Sequence, residues 1–215
     1  MTSLFRYIVI EGPIGVGKTS LAQKLAEEFG AATMLEKPAE NPFLEKFYRN
    51  PSQYALPAQL HFLMQRAQQV QEFRQDDLFH GTHIGDFMVD KDRLFAEITL
   101  NRDELALYEQ IYRHLTMDAP KPDLVIYLQA PIPTLRARIN QRGIVYEQQI
   151  RDDYLQRLSD SYTRFFYNYD ESALLTVNTQ SVDLIHNEDD YLAILEKIDG
   201  IRSGRHYFNQ SSFAL

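Results

Sequence analysis

The chain has 215 residues, of which 44% are hydrophobic and 24% charged, the composition of an ordinary globular protein with one sizeable core. A formal net charge of −8 argues against a general nucleic-acid surface, because a phosphate backbone requires clustered lysine and arginine. The absence of cysteine excludes disulfides and thiol catalysis. No apolar run approaches the length of a membrane span, and the first strand begins so early that we expect no signal peptide. The sequence therefore predicts a cytoplasmic protein that binds neither nucleic acid nor membrane.

A glycine-rich loop is the first motif in the chain. Residues 12–19 fit the pattern G-x-x-x-x-G-K-[ST], the phosphate-binding P-loop. Glycine lets the backbone turn tightly and approach the phosphates, while the amides and the following helix N-terminus supply positive potential. In this pattern Lys18 reaches the β- and γ-phosphates, and the Thr19 hydroxyl holds Mg²⁺. The predicted nucleotide-binding residues are Gly12, Gly15, Gly17, Lys18, Thr19 and Ser20.

The residues on either side of the loop support this interpretation. The run from Phe5 to Ile10 is β-branched and apolar, as expected of a strand. Leu21, Leu25 and Phe29 recur every four residues and are followed by Gly30, which indicates an amphipathic helix with a glycine stop. Strand, loop and helix in this order favour a P-loop over a chance glycine-rich turn.

The rest of the chain alternates between apolar runs and segments with helical spacing. Asn41 is predicted to cap a short helix, with Pro42 in its first turn. The alternation predicts an α/β fold, with a five-stranded parallel sheet flanked by helices in one domain, 1–215. Ligands bind at the carboxyl ends of such strands, which brings the loop, Glu36 and Asp86 to one edge. The further strands are predicted at 31–35, 82–87, 123–128 and 174–177, and the further helices at 40–48, from about 57, and at 91–100, 104–115, 133–141, 152–169 and 189–198.

The motifs taken together resemble a known family. The N-K-x-D motif with which small GTPases read guanine is missing, which leaves a small phosphotransferase. Over nearly its whole length the chain resembles the deoxynucleoside kinases, in particular the bacterial deoxyadenosine/deoxyguanosine kinases. This resemblance implies a P-loop kinase fold with a short lid at about 138–150, ATP as phosphate donor, Mg²⁺ and a homodimer. The residues that carry it are 12–19, Glu36 followed by Pro38, 41–48, 56–59 and 138–147.

Four residues are predicted to be catalytic. Glu36 follows the second predicted strand, where a carboxylate can accept the proton of an attacking hydroxyl. By position alone it is equally well a solvated loop residue, but the resemblance implies the catalytic base. Arg138 and Arg142 lie four residues apart before Gly143, as in a phosphoryl-transfer lid that neutralises charge, or else on an exposed basic helix face. The family pattern favours the lid, and Lys18 completes the set.

The predicted substrate residues follow mainly from the resemblance. Gln59 and Arg66 are seven residues apart and share one helix face. The resemblance implies that Gln59 reads the nucleobase and that Arg66 pairs with Asp92 beside it, which favours a purine or cytosine over thymine. It implies that Tyr48 and Glu147 bind the sugar 3′-hydroxyl, although Tyr48 alone could equally be a core aromatic residue.

The metal site and two departures from the family pattern complete the analysis. Asp86 ends the third predicted strand and would hold Mg²⁺ with Thr19, since Mg²⁺ needs few direct carboxylates. Its alternative role is to cap a turn. Phe87 and Ile144 stand where the family commonly has arginines, so another cation substitutes or the remaining ones suffice.

The sequence therefore predicts ATP-dependent phosphorylation of the 5′-hydroxyl of a deoxynucleoside in nucleotide salvage. The acceptor is deoxyadenosine, deoxyguanosine or deoxycytidine. The alternatives are a nucleoside-monophosphate kinase of the thymidylate kinase type and a non-catalytic nucleotide-binding regulator.

Overall fold

Six parallel strands form one sheet in the part of the chain that the computed structural model describes, residues 5–76, 81–116 and 119–209. Residues 1–4, 77–80, 117–118 and 210–215 of the predicted domain lie outside the described residues. The order across the sheet is β2-β3-β1-β4-β5-β6, which confirms the predicted α/β fold. The strands are β1 Tyr7–Glu11, β2 Ala32–Met34, β3 His83–Gly85, β4 Leu124–Gln129, β5 Ala173–Asn178 and β6 Arg205–Phe208.

Helices cover both faces of the sheet. Successive residues of a strand point to opposite faces. Ile8 of β1 accordingly packs in a core cluster with Leu25, whereas Val9 packs in a second cluster with Tyr162. The helices are α1 Lys18–Phe29, α2 Leu44–Arg49, α3 Pro51–Asp76, α4 Asp92–Thr99, α5 Arg102–Leu115, α6 Ile132–Arg142, α7 Asp152–Asn168 and α8 Glu188–Asp199, with short 3₁₀ segments at Pro38–Glu40, Val89–Lys91 and Val145–Gln149.

The prediction of five strands is wrong, because β6 adds a sixth at the edge of the sheet. Its sequence is Arg-His-Tyr-Phe, and its side chains are exposed or half-buried. An edge strand in contact with one neighbour needs no continuous apolar run, so the pattern used to find the other strands does not detect it. Two helix starts are also wrong.

The long helix α3 begins at Pro51 rather than near Pro57, which lies inside the helix. Pro51 has the fixed backbone angle suited to a helix start, and the first turn that follows it is too polar for apolar spacing to indicate a helix there. Asn41 does not cap α2, which begins at Leu44 without a side-chain cap. Its side chain instead accepts a hydrogen bond from the Phe43 amide and donates one to the Ala58 carbonyl, so it joins this turn to α3.

The expected edge of the sheet forms as predicted. The glycine loop leaves the carboxyl end of β1, Glu36 lies two residues after β2, and Asp86 follows β3. No helix of the described residues is long and apolar enough to cross a membrane.

Candidate active site

Two neighbouring cavities lie at the carboxyl edge of the sheet. The larger, of 810 Å³, lies between the glycine loop and residues 179–187. The smaller, of 110 Å³, is lined by Glu36 from the loop after β2 and by residues of α2, α3 and the 3₁₀ segments, among them Gln59. Lys18 and Thr19 line both cavities, so the P-loop forms their common wall. The remaining residues that line both are Gly15 and Arg142.

The backbone of the glycine loop has the geometry of a phosphate cradle. Gly12 has φ +148°, and a Cβ there would meet the Leu128 carbonyl oxygen at 2.4 Å. Gly17 has φ +104° at the start of α1 and lines the larger cavity, as does Ser20. The Lys18 ammonium donates to the carbonyl of Gly12 at 2.8 Å, across the loop. A glycine loop that ends at a helix N-terminus fits a polyphosphate.

An oxygen pair beside the loop fits a small hard cation. The Thr19 hydroxyl donates to Asp86 Oδ2 at 2.5 Å, and Asp86 Oδ1 accepts the backbone amide of Glu36 at 2.7 Å. Burial, reinforced by the charge of Glu36, raises the pKa of Asp86. Mg²⁺ binds oxygen ligands and keeps most of its waters, so one hydroxyl and one carboxylate are suitable protein ligands.

Glu36 is held between two cations. Its carboxylate pairs with the Arg66 guanidinium and lies 2.8 Å from the Lys91 ammonium. Burial alone would raise the pKa of Glu36. The charges of Lys91 and Arg66 outweigh burial and lower the pKa of this carboxyl well below its usual range. Glu36 is therefore an ionised carboxylate facing the smaller cavity.

Arg66 connects Glu36 to a second acid. Its guanidinium also pairs with Asp92, which is fully buried, and this is the pairing that the sequence predicts. The aromatic rings of Phe62 and Phe87 flank the guanidinium at 5.1 and 5.5 Å. Phe87 is thus a buried support for Arg66 and brings no charge of its own. Gln59 lies on the same helix, buried, and lines the smaller cavity.

A third group of side chains also lines the smaller cavity. Tyr48 and Glu147 both line it, and Arg142 pairs with Glu147 at 2.5 Å. The ring of Tyr48 stacks on Tyr146, with centroids 6.2 Å apart. Burial, and then the nearby Tyr154 and Glu147, raise the pKa of Tyr48 well above its usual value, so the phenol stays protonated and can donate a hydrogen bond.

The two predicted lid arginines have different surroundings. Arg142, before Gly143, reaches both cavities. Arg138 lines only the larger one and donates to the Thr179 hydroxyl and carbonyl, each at 2.8 Å, and to the Val16 carbonyl at 3.2 Å. The structure thus brings Arg138 to Thr179 at the end of β5, one helical turn before Arg142.

Two further charged residues at this site, Glu11 and Lys91, are buried and were not predicted from the sequence. Glu11 ends β1, and its carboxylate accepts hydrogen bonds from the Met88 amide at 2.7 Å and the Tyr162 hydroxyl at 3.0 Å. Burial raises the pKa of Glu11. Lys91 lies 3.7 Å from Glu11, in addition to its contact with Glu36. No local pattern marks Lys91, because it reaches these acids only through the packing of distant segments.

Comparison with known proteins supports one family. The family model described as deoxynucleoside kinase matches residues 8–201. The chain is 37% identical over 190 residues to the deoxyguanosine kinase of Bacillus subtilis (strain 168). The aligned region covers 86% of this chain and 92% of that protein. It is 29% identical over 210 residues to the deoxyadenosine kinase of Lactobacillus acidophilus. That aligned region covers 91% of this chain and 96% of the other protein.

A solved structure agrees with this result at the level of the fold. A structure of deoxyadenosine kinase from M. mycoides with the products dCMP and a flexible dCDP has a TM-score of 0.79 to this chain. The match covers 91% of this chain and 100% of the other, at 22% identity. The family match spans most of the chain and includes both cavities. The chain therefore belongs to the deoxynucleoside kinase family, a family of enzymes.

Proposed function

We propose that this protein transfers the γ-phosphoryl group of ATP to the 5′-hydroxyl of deoxyadenosine, deoxyguanosine or deoxycytidine, as a step of nucleotide salvage. The observation that carries the proposal is the position of Glu36, an ionised carboxylate in the smaller cavity beside Lys18 and Thr19, which line both cavities. A base must face the acceptor while the phosphate-binding residues face the donor. One kinase domain, with a lid at 138–150, performs both tasks.

The acceptor occupies the smaller cavity in this proposal. Gln59 pairs with the nucleobase edge, Arg66 with Asp92 completes its recognition, and Tyr48 and Glu147 bind the 3′-hydroxyl. The cavity of 110 Å³ is below the roughly 300–1,000 Å³ usual for small-molecule sites, so the substrate has to widen it. We infer that Arg66 then exchanges its contact with Glu36 for one with the nucleobase.

The donor occupies the larger cavity. Residues 12–20 bind its phosphates, and Thr19 and Asp86 are suitable ligands for Mg²⁺, which neutralises phosphate charge when bound. As the 5′-oxygen forms its bond to the γ-phosphorus, the bond to the β–γ bridging oxygen breaks and ADP leaves. Glu36 accepts the hydroxyl proton. Lys18, Arg138 and Arg142 stabilise the charge on the transferred group.

The decisive experiment is a substrate panel. Purified protein is incubated with ATP, Mg²⁺ and each of the four deoxynucleosides, and 5′-monophosphates are separated and quantified. We expect product from deoxyguanosine, deoxyadenosine or deoxycytidine and the least from thymidine; no monophosphate from any of them refutes the proposal. Preference for deoxynucleoside monophosphates supports the thymidylate kinase type instead. ATP binding by calorimetry without turnover supports a regulator.

We also propose that the protein acts as a homodimer in the cytoplasm. Exposed apolar side chains on α3 and α5, with Met64 64% and Leu107 47% exposed, support an interface on these helices. Light scattering after size-exclusion chromatography measures the oligomeric state. Met64→Lys is expected to shift a dimer toward monomer, and a monomeric wild-type protein contradicts this part of the proposal.

A further inference from the structure

A buried lysine lies at the centre of the acid network. Lys91 ends the 3₁₀ segment Val89–Lys91 and is only 1% exposed. Its ammonium lies 2.8 Å from Glu36 Oε1 and 3.7 Å from Glu11 Oε1. Burying an ammonium group is unfavourable unless it is paired, so the two carboxylates determine where this side chain lies.

One of these two carboxylates, that of Glu11, is held in a fixed position. Besides its bonds from Met88 and Tyr162, Glu11 accepts the Gly12 amide at 3.1 Å, and it belongs to the central strand β1. Its position is therefore set by the sheet. Through Lys91, this fixed acid is connected to Glu36, which lies in the segment after β2.

The other neighbours of Glu36 either have a second partner or lack the positive charge needed to pair with a carboxylate. Arg66 is shared with Asp92, and in the proposed reaction it turns to the nucleobase. Lys18 adds positive charge nearby but serves the phosphates, whereas Asp86, Glu11 and the Tyr162 hydroxyl interact electrostatically with Glu36 and carry no positive charge. Among the described residues, Lys91 then remains as the cation paired with the Glu36 side chain.

We propose that Lys91 is a positioning residue for phosphoryl transfer, which connects Glu36 to the sheet and keeps its carboxylate aimed at the acceptor hydroxyl when Arg66 engages the nucleobase. This inference rests on the proposed function. Phe87 is buried against the Arg66 guanidinium and brings no charge, whereas Lys91 brings a positive charge to Glu36 from the following segment.

The first test compares Lys91→Met, Lys91→Arg and the control Arg93→Met. Arg93 is a half-exposed cation on the next turn that pairs with Glu97 and Glu109. Because a misplaced catalytic group can cost about 100-fold in rate, Lys91→Met is expected to lower kcat by about that factor while each KM changes by less than about threefold. Lys91→Arg should recover part of kcat, and Arg93→Met should leave it unchanged. A loss confined to KM, or an unaffected kcat, overturns the proposal.

A double-mutant cycle separates positioning from a general structural role. If Lys91 acts through Glu36, adding Lys91→Met to Glu36→Gln should lower the single-turnover rate by less than about threefold further, because effects of residues acting as a unit are not additive. Multiplying losses contradict the proposal. Thermal unfolding of each variant is recorded, and if Lys91→Met does not fold, Lys91→Arg takes its place in the cycle with the same criterion.

The outcome also separates this inference from the proposed function. A wild-type protein that phosphorylates deoxynucleosides, together with an unaffected Lys91→Met variant, overturns only the role of Lys91. A wild-type protein that binds ATP and phosphorylates no deoxynucleoside overturns the proposed function and the inference that rests on it.

Discussion

The larger and the smaller cavity are built in different ways. The larger is formed mostly by two continuous stretches of chain, 15–21 and 179–187, and its glycine loop presents backbone amides. The smaller is formed by side chains from many elements, which include α1, α2, α3, α4, α6, α7 and the 3₁₀ segments. A polyphosphate looks the same on every nucleotide, so backbone geometry suffices to bind it. Selecting one deoxynucleoside needs particular side chains brought together from distant segments.

The two cavities also differ in their electrostatics. Beside the smaller cavity, ion pairs join five charged side chains into one network: Glu36, Arg66 and Lys91, which line the cavity, and Glu11 and Asp92, which are fully buried. In such a network, the loss of one partner leaves another charge buried and unpaired, which costs about 3–5 kcal/mol. In the larger cavity, Arg138 is held by neutral oxygens of Thr179 and Val16. We therefore expect substitutions on the two sides to have different signatures.

The largest effect is expected for Glu36→Gln. Removing a general base lowers kcat by about 10²–10⁴-fold, whereas ATP affinity should change little, because Glu36 does not line the larger cavity. Steady-state kinetics and calorimetry with ATP measure the two quantities. Glu40→Gln is the matched control, since Glu40 is exposed and pairs with Lys37. A similar loss in both variants would make the assignment of the base wrong.

A change in the backbone of the glycine loop should weaken the binding of the donor, ATP, alone. Gly17 and Gly204 both have positive φ angles, of +104° and +80°, and a Cβ at either position would have open space around it among the described residues. Alanine at either place should therefore cause similar strain, of about 1–3 kcal/mol. Only Gly17→Ala is expected to raise the Kd for ATP, by about tenfold or more, because its Cβ projects where phosphates approach. Equal ATP affinities in the two variants would contradict a backbone cradle.

A side-chain change in the smaller cavity should weaken the binding of the acceptor deoxynucleoside alone. Gln59→Ala removes a hydrogen-bonding amide from the smaller cavity and is expected to raise KM for the preferred deoxynucleoside by about 5- to 10-fold, with KM for ATP unchanged. The ranking of the four deoxynucleosides should also become less pronounced. Gln68→Ala, an exposed change on the same helix that removes a contact with Glu72, serves as the control. An unchanged ranking would refute base recognition by Gln59.

The smallest effect is expected for Thr179→Val. This change removes the hydrogen bond from the Arg138 guanidinium to the Thr179 hydroxyl and the one from that hydroxyl to the Gln129 carbonyl. The contact of Arg138 with the Thr179 carbonyl stays in place. Loosening one lid arginine should lower kcat by about 2- to 5-fold without changing the KM for the deoxynucleoside. Thr163→Val on α7 is a control, because the Thr163 hydroxyl donates to the Ser159 carbonyl and contacts the Tyr127 hydroxyl, and neither partner lines either cavity. A larger effect on deoxynucleoside binding than on kcat would show that the two cavities are coupled.

The sequence by itself determined the features that depend on local pattern. The strand, glycine loop and helix of residues 7–29, and the alternation that predicts a parallel sheet, are confirmed because backbone conformation and apolar spacing act over a few residues. The family resemblance is confirmed as well. Because parallel strands end at the same edge, the shared location of Glu36, Asp86 and the loop could also be deduced from the order of the strands.

Only the tertiary structure decided which charges meet. Lys91 and Glu11 are 80 positions apart in the chain and 3.7 Å apart in space, and neither has a local signal of this contact. Packing also decides that Arg66 pairs with both Glu36 and Asp92. It likewise gives Arg138 and Arg142 their different surroundings. The reason is physical: buried ion pairs depend on distance and on the removal of water, and a linear pattern specifies neither until the segments have packed together.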